Sequence, residues 1–156
     1  MKGDDRLIKT LDALLAEELT ATNQYMVHSE MCANWGYQRL HEKVEKRAIQ
    51  EMRHAESLIK RIIFLDANPT VSKLNAIQIG PDVQKQLQAD LAAELRAVGL
   101  YNAAIRLADE VGDAVTRDLL ERTLKDEDEH VDWLEEQNDQ IVQMGLPMYL
   151  SMQTRE

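Results

Sequence analysis

One glutamate stands inside the apolar stripe of each of four long helical segments, and two of these glutamates begin Glu-x-x-His motifs. Each motif follows a further glutamate, 33 residues upstream in both cases, so one pattern occurs twice in the chain. The six residues of the two copies are Glu18, Glu51, His54, Glu94, Glu127 and His130. Two like helical hairpins packed face to face bring all six to one place, which favours a helical bundle.

The sequence predicts five helices from its apolar periodicity and its start and stop residues. Apolar residues recur at alternating gaps of three and four, and prolines and glycines interrupt the pattern. The predicted helices run from Asp4 or Asp5 as N-cap to just before Gly36, from Gln38 to about Asp66, from after Pro81-Asp82 to Gly112, from Asp113 as N-cap to Gly145, and over a short stretch from Pro147.

The segment from Ala67 to Pro81 has no helical periodicity. Its fifteen residues, if extended, reach roughly 50 Å, whereas the second helix is roughly 42 Å long. The segment can therefore pass along the whole bundle and let the third helix run parallel to the second. We expect an all-α, ferritin-like four-helix bundle with one long crossover between the second and third helices, a short fifth helix, and a single domain over residues 1–156.

The four glutamates need a counter-charge, because an isolated carboxylate is very costly to bury in a helical core. Arg47, about one turn from Glu51, is the one basic candidate on the stripes. Four carboxylates and two neutral imidazoles carry four negative charges, which two divalent cations cancel. Carboxylates with imidazoles suit iron or manganese, and they are the known ligands of di-iron and di-manganese carboxylate bundles. The sequence therefore predicts a two-metal centre at the six residues.

Composition excludes several classes of function. The net charge of -10 argues against a nucleic-acid partner, which would require clustered Lys and Arg. A single cysteine, Cys32, excludes an internal disulfide and a CxxC metal centre. No apolar run is long enough to span a bilayer, and the opening MKGDDRLIK is charged, so we expect a cytoplasmic protein with no membrane partner.

Around these residues the sequence closely resembles bacterioferritin, over essentially the whole chain. The similarity covers the opening MKGD, the segment NQYMVHSEM, EMRHAE at Glu51 to Glu56 and EDEHVDWLE at Glu127 to Glu135. His130 separates the chain from ordinary non-haem ferritins, which lack a matching second Glu-x-x-His motif. The resemblance implies a hollow shell of 24 subunits built from twofold dimers, with twelve haems and a ferroxidase centre in each subunit.

The resemblance also implies a role for each residue of the centre. Glu51 and Glu127 match the bridging ligands, and Glu18 and Glu94 match the terminal ones. His54 and His130 would then supply one imidazole to each of two iron ions.

Met52 matches the family's axial haem ligand, and the resemblance implies a haem b shared between Met52 of two subunits. The position permits this, because one residue beyond Glu51 points about 100° further around the helix. Packing of Met52 in a subunit interface without haem is the alternative. Some bacterioferritins carry an accessory iron site where this chain has Lys46 and Gln50, so we expect that site to be absent.

Several other side chains have two readings. Tyr25 is either a core residue or a redox-active neighbour of the metals. Cys32 is expected to be a small buried hydrophobe, and His28 and His41 to lie at the surface or in an interface. The apolar tail, Leu146 to Met152, either lines a fourfold pore or packs on its own bundle.

We therefore expect a ferroxidase, an Fe(II):oxygen oxidoreductase that oxidises Fe(II) with O2 or H2O2 and stores the ferric product. Expected partners are copies of the chain itself and a ferredoxin-like reductant. Assembly with a second bacterioferritin subunit type is a further alternative. Two alternatives remain. One is a di-iron or di-manganese peroxidase or catalase that stores nothing, and the other is a non-enzymatic structural bundle or partner-binding module whose acidic residues coincide by chance.

Overall fold

The computed structural model describes residues 1–154, and within them it has five helices and no strand. Their bounds are Asp5–Asn34 (α1), Gln38–Phe64 (α2), Val83–Glu110 (α3), Ala114–Met144 (α4) and Leu146–Met152 (α5). The predicted ferritin-like bundle with a short fifth helix is confirmed. Some bounds differ from expectation: α2 and α3 each end two residues early, α4 ends one residue early, and α5 begins one residue before Pro147.

The helix ends follow from local chemistry. Asp4, Asp82 and Asp113 are N-caps whose carboxylates accept hydrogen bonds from backbone N–H groups of the first turn. Asp66 has a φ of 60°, in the left-handed region, and α2 therefore stops at Phe64, before this residue.

The four long helices pack as two hairpins, α1 with α2 and α3 with α4. Contacts such as Cys32 to Gln86 and Glu18 to Tyr101 run in opposite directions along α1 and α3, so these helices are antiparallel. Helix α3 is then parallel to α2, which is the predicted consequence of the crossover.

The core is apolar at both ends of the bundle and polar in the middle. One cluster of buried side chains includes Leu11, Leu58 and Leu120, and a second, at the other end, includes Leu40 and Leu134. Each fully buried leucine stabilises the fold by roughly 1.5–3 kcal/mol. The six predicted ligands lie between these clusters, so the apolar ends hold the four helices in register around them.

The crossover runs along α1, and side chains of α1 accept hydrogen bonds from backbone N–H groups of the crossover. Asp12, Thr20, Gln24 and His28 accept hydrogen bonds from successive positions between residues 70 and 80. The expectation that His28 lies at the surface or in an interface is wrong for this subunit. It is fully buried, with Nδ1 bonded to Asp90 and Nε2 to the Gly80 N–H, because the crossover covers it.

Helix α5 packs on its own bundle. Tyr149 is fully buried against the end of α4, and its hydroxyl donates to Gln137. Cys32 is buried, as expected. In the described range, 1–154, no helix has both the length and the apolar character needed to cross a membrane.

Candidate metal centre

The six predicted ligands converge in the middle of the bundle, and each long helix contributes at least one of them. The four glutamates are almost fully buried, with 1–2 % of each residue exposed, and the two histidines are nearly as buried. Helices α2 and α4 each supply a Glu and a His three residues apart on one face. Helices α1 and α3 supply the two remaining carboxylates, Glu18 and Glu94.

His54 faces three of the carboxylates. Its Nδ1 lies 3.0 Å from Glu127 Oε1, 3.4 Å from Glu51 Oε2 and 3.5 Å from Glu18 Oε2. Its other nitrogen, Nε2, is hydrogen-bonded to Asp126 Oδ2 at 2.9 Å. Because Asp126 is an acceptor, it holds a proton on Nε2, so Nδ1 is the nitrogen that would bind a metal once its own proton has left.

His130 forms the other half of the centre. Its Nδ1 lies 2.9 Å from Glu94 Oε1, an oxygen that also accepts from the Tyr25 hydroxyl. The ring stacks on Trp133, with centroids 5.9 Å apart, and meets the edge of Tyr25. These two aromatic side chains fix the plane of the imidazole.

The ligand atoms fall into two groups that share one residue. Glu18, Glu51, His54 and Glu127 have ligand atoms within 4.8 Å of one another, and so have Glu51, Glu94 and His130. Glu51 therefore occupies the position expected of a bridging ligand. Glu127 belongs to the first group alone in this conformation, although the resemblance implies that it too bridges.

Unpartnered polar atoms cluster among the six predicted ligands. Among residues 1–154, six side-chain nitrogen or oxygen atoms are buried without a hydrogen-bond partner. They are Glu18 Oε2, Arg47 Nε, Glu51 Oε1, His54 Nδ1, Glu94 Oε2 and Glu127 Oε1. Buried polar atoms are rarely left without a partner in folded proteins. Five of the six belong to the predicted ligands, so the residues fit a pair of divalent cations.

Burial and mutual repulsion raise the pKa values of the carboxyls. Burial, followed by the charge of the nearby Glu18, raises the pKa of Glu51 to about 7. Burial, followed by repulsion from Glu127, raises the pKa of Glu18. Burial and then the charge of Glu51 raise the pKa of Glu94 well above its ordinary value. Without a metal, the centre therefore retains protons.

The two histidines shift in opposite directions. Burial lowers the pKa of His54, but its contacts with Glu127, Glu18 and Glu51 outweigh burial and raise the pKa well above its usual range. Burial lowers the pKa of His130, and its single bond to Glu94 does not offset this. His54 must therefore lose a proton to bind a metal, whereas His130 is ready to bind.

Several neighbours of the centre carry no sequence signal. Asp126 orients His54, and the Tyr101 hydroxyl donates to Glu18 Oε1 at 2.6 Å. Asp126 sits in a run of acidic residues, and Tyr101 lies on an apolar stripe where core packing is the ordinary interpretation. Tyr25, for which the sequence allows two interpretations, is buried, and its hydroxyl donates a hydrogen bond to the Glu94 carboxylate.

Met52 lies on the outer face of α2, away from the two-metal centre. Its side chain is 40 % exposed, one residue after the buried Glu51, and Ile49 is exposed one turn earlier. A thioether presented on an apolar helix face is a suitable axial ligand for haem iron. The exposed sulfur of Met52 is therefore able to serve as one of two axial ligands, the other coming from a second copy.

Comparison with known proteins gives one family. Residues 8–144 match the family model of the ferritin-like domain. The bacterioferritin of Mycolicibacterium paratuberculosis is 38 % identical over 96 % of this chain and 94 % of its own length. That of Brucella melitensis is 38 % identical over 96 % and 92 %, and that of Rhodobacter capsulatus 42 % over 88 % and 85 %. The chain therefore belongs to the bacterioferritin family of ferritin-like proteins.

Proposed function

We propose that this protein is a ferroxidase that stores iron. Two Fe(II) ions bind as substrate between the four long helices, O2 or H2O2 oxidises them, and the ferric product is deposited inside a shell of 24 subunits. The observation that carries the proposal is the pair of buried ligand groups that share Glu51, with five metal-ligand atoms left without hydrogen-bond partners.

Each residue of the centre has a role in this proposal. Glu51 and Glu127 bridge the two irons, and Glu18 and Glu94 each bind one of them. Each iron has one imidazole, from His54 or His130. Bridging carboxylates hold paired metals roughly 3.5–4 Å apart, close enough to act together on one oxidant.

The reaction balances as a two-electron step. Each Fe(II) gives up one electron and becomes Fe(III). One O2 takes up the two electrons and two protons to form H2O2, or one H2O2 takes up the same to form two water molecules. The buried Tyr25 and Tyr101 hydroxyls hold Glu94 and Glu18 in place while the charge on the irons changes.

The wider assignments extend the same proposal. Met52 from each of two subunits holds a haem b, which supplies electron transfer, and a ferredoxin-like protein supplies the electrons that release iron. Residues 1–156 form one domain in a cytoplasmic homo-oligomer, and a second subunit type is compatible with it. The protein has no nucleic-acid or membrane partner.

An aerobic Fe(II) titration followed by stopped-flow absorbance tests the ferroxidase assignment. The wild type should oxidise Fe(II) quickly, with the fast phase saturating at two irons per subunit. Glu94→Ala removes a ligand of one iron and should abolish the fast phase. Glu135→Ala, which removes an exposed glutamate of α4, is the control and should behave as the wild type does. A fast phase that survives in Glu94→Ala would contradict the proposal.

The mass of the native particle tests storage separately from oxidation. Twenty-four copies of the 17.9 kDa chain give about 430 kDa, which size-exclusion chromatography with light scattering measures directly. A small particle that still oxidised Fe(II) would instead favour a peroxidase that stores nothing.

A further inference from the structure

Arg47 lies against the carboxylates of the proposed iron centre. It is 9 % exposed, and its Nε is 3.3 Å from Glu51 Oε1. Its Nη2 is 3.5 Å from Glu127 Oε2. Among the Lys and Arg residues in the described part of the chain, Arg47 alone forms an ion pair with any of the four buried glutamates, and it pairs with two of them, Glu51 and Glu127. Its guanidinium stays charged at every physiological pH.

Arg47 and an iron ion would compete for the same oxygen. Among the carboxylate oxygens of the centre, Glu51 Oε1 is the nearest to the guanidinium, yet it has no hydrogen bond and is one of the unpartnered buried atoms. Glu51 is also the residue that the two ligand groups share. A cation bound at Glu51 therefore meets a second fixed cation a few ångströms away, and the two repel each other.

The other contacts of Arg47 tether it at the rim of the centre. Its Nη2 donates to the backbone carbonyl of Asp126 at 2.8 Å, and its Nη1 donates to Gln50 Oε1. These neutral partners remain available when the guanidinium moves away from Glu51. The side chain can therefore retreat a short distance without losing all its hydrogen bonds.

An opening of about 210 Å³ lies beside Arg47 on the His130 side of the centre. Its lining residues are Lys43, Lys46, Arg47, Gln50, Glu129, His130 and Trp133. Three of these side chains are basic and one is acidic, so the opening holds a divalent cation weakly and gives Arg47 room to move into. An iron that leaves the centre on this side meets few carboxylates that could retain it.

We propose that Arg47 is a built-in counter-cation that replaces the charge of the metals in the empty centre and weakens their hold in the loaded one. This inference rests on the proposed function and adds a property to it. The iron centre is then a transit site that binds, oxidises and releases iron, and not a permanently loaded cofactor. Arg47 acts as a positioning residue, since it touches the ligands and not the iron.

The test measures metal affinity and release without any turnover. Co(II) is the probe, because it absorbs visibly on binding and does not react with O2 on this timescale. Its dissociation constant comes from titration of the metal-free particle, and its release rate from an excess of EDTA. The variants are Arg47→Met, which removes the charge, and Arg47→Lys, which keeps it. Arg122→Met is the control, since Arg122 is 73 % exposed and pairs only with Asp118.

Arg47→Met should bind Co(II) about tenfold more tightly than the wild type. A tenfold change is the low end of the range of affinity changes seen when residues that contact metal ligands are substituted. It should also release Co(II) more slowly, and its metal-free form should melt at a lower temperature, because the carboxylates lose their counter-charge. Arg47→Lys should lie between the two, and Arg122→Met should match the wild type. If Arg47→Met does not assemble, Arg47→Gln tests the same change with a polar side chain.

Two failures of this test can be told apart. Equal or weaker Co(II) affinity in Arg47→Met, with the wild type binding normally, would overturn the role of Arg47 and leave the ferroxidase proposal standing. Absence of Co(II) binding in the wild type would overturn the metal centre, and the role of Arg47 with it.

Discussion

Each histidine of the centre points one ring nitrogen at the carboxylates because neighbouring side chains fix its ring. Asp126 holds Nε2 of His54, and Trp133 and Tyr25 hold the ring of His130. Preset ligands lose little conformational freedom when a metal binds, so these neighbours should raise metal affinity.

The first prediction concerns Asp126. Asp126→Ala frees the His54 ring and its tautomer, so the affinity for Co(II) should fall by about 10–100-fold. Titration of the metal-free particle measures it. Asp128→Ala is the matched control, because Asp128 is an exposed acid two residues further along α4 and its removal should leave the affinity unchanged. An unchanged affinity in Asp126→Ala would show that Asp126 does not orient the ligand.

The second prediction concerns pH. Folding raises the pKa of Glu51 from 4.5 to about 7, so bound protons stabilise the metal-free fold below pH 4.5, and this stability is lost as pH rises through 7. The raised pKa values of Glu18, Glu94 and His54 act in the same direction, whereas the lowered pKa of His130 opposes them. Metals compete with these protons and should stabilise the fold more as pH rises.

Calorimetry on Co(II)-loaded and metal-free protein measures this effect. The difference between their melting temperatures should be larger at about pH 8 than at about pH 5.5, because these two pH values lie above and below the raised pKa of Glu51. A difference that is the same at both pH values would mean that protons do not occupy the centre.

At the residue scale the sequence predicts a side chain well where a pattern repeats. Glu51 and His54 recur as Glu127 and His130, so their spacing alone marks them. Asp126 has no such repeat. The burial of His28 was not predicted, because it depends on the path of the crossover, which covers this side chain. Contacts between segments distant in sequence leave no periodic signal within one helix.

At the scale of elements, the crossover is held by hydrogen bonds from its backbone to side chains of α1. Thr20 Oγ1 accepts a hydrogen bond of 2.8 Å from the Asn75 N–H, and Gln24 Oε1 accepts one of 3.0 Å from the Gln78 N–H. Partly buried backbone groups that lack sheet or helix partners are thereby satisfied. The length of the crossover predicts its path, but not these partners.

The third prediction tests this anchoring. Thr20→Val keeps the shape of the side chain and removes the acceptor of the Asn75 N–H, at a cost of about 1–3 kcal/mol. Hydrogen exchange of the Asn75 amide should then accelerate about tenfold or more. Thr10→Val is the control, since the Thr10 hydroxyl bonds only the exposed Arg6 carbonyl within its own helix. Unchanged exchange at Asn75 would mean that other contacts hold the crossover.

The helix bounds were predictable to within two residues because caps are local. Asp82 and Asp113 cap the helices that follow them, and Gly145 ends α4. The end of α2 was predicted two residues late, since Asp66 adopts a positive φ that is more usual for glycine.

At the scale of the whole molecule, the two-metal centre and the proposed haem site lie on different sides of α2. Glu51 is buried in the bundle interior, and Met52 is exposed on the outside of the bundle. The proposed shell and the proposed haem site depend on contacts between copies, which no pattern within one chain specifies. From the sequence, the shell and the haem site are predicted only through the family resemblance.

The fourth prediction separates these two sites. Met52→Leu keeps the volume of the side chain and removes the sulfur, so the purified particle should lose its haem absorbance. Its fast Fe(II) oxidation should remain, because the Met52 side chain is exposed on the outside of the bundle whereas the six residues of the centre are buried inside it. Loss of fast oxidation together with the haem band would contradict this separation.

The most direct test of the metal centre is anomalous diffraction from crystals soaked in Fe(II) without oxygen. We expect two iron peaks per subunit, roughly 3.5–4 Å apart, with Glu51 between them and one histidine bound to each. Crystals that take up iron elsewhere, and show no peak among Glu18, Glu51, Glu94 and Glu127, would contradict the account.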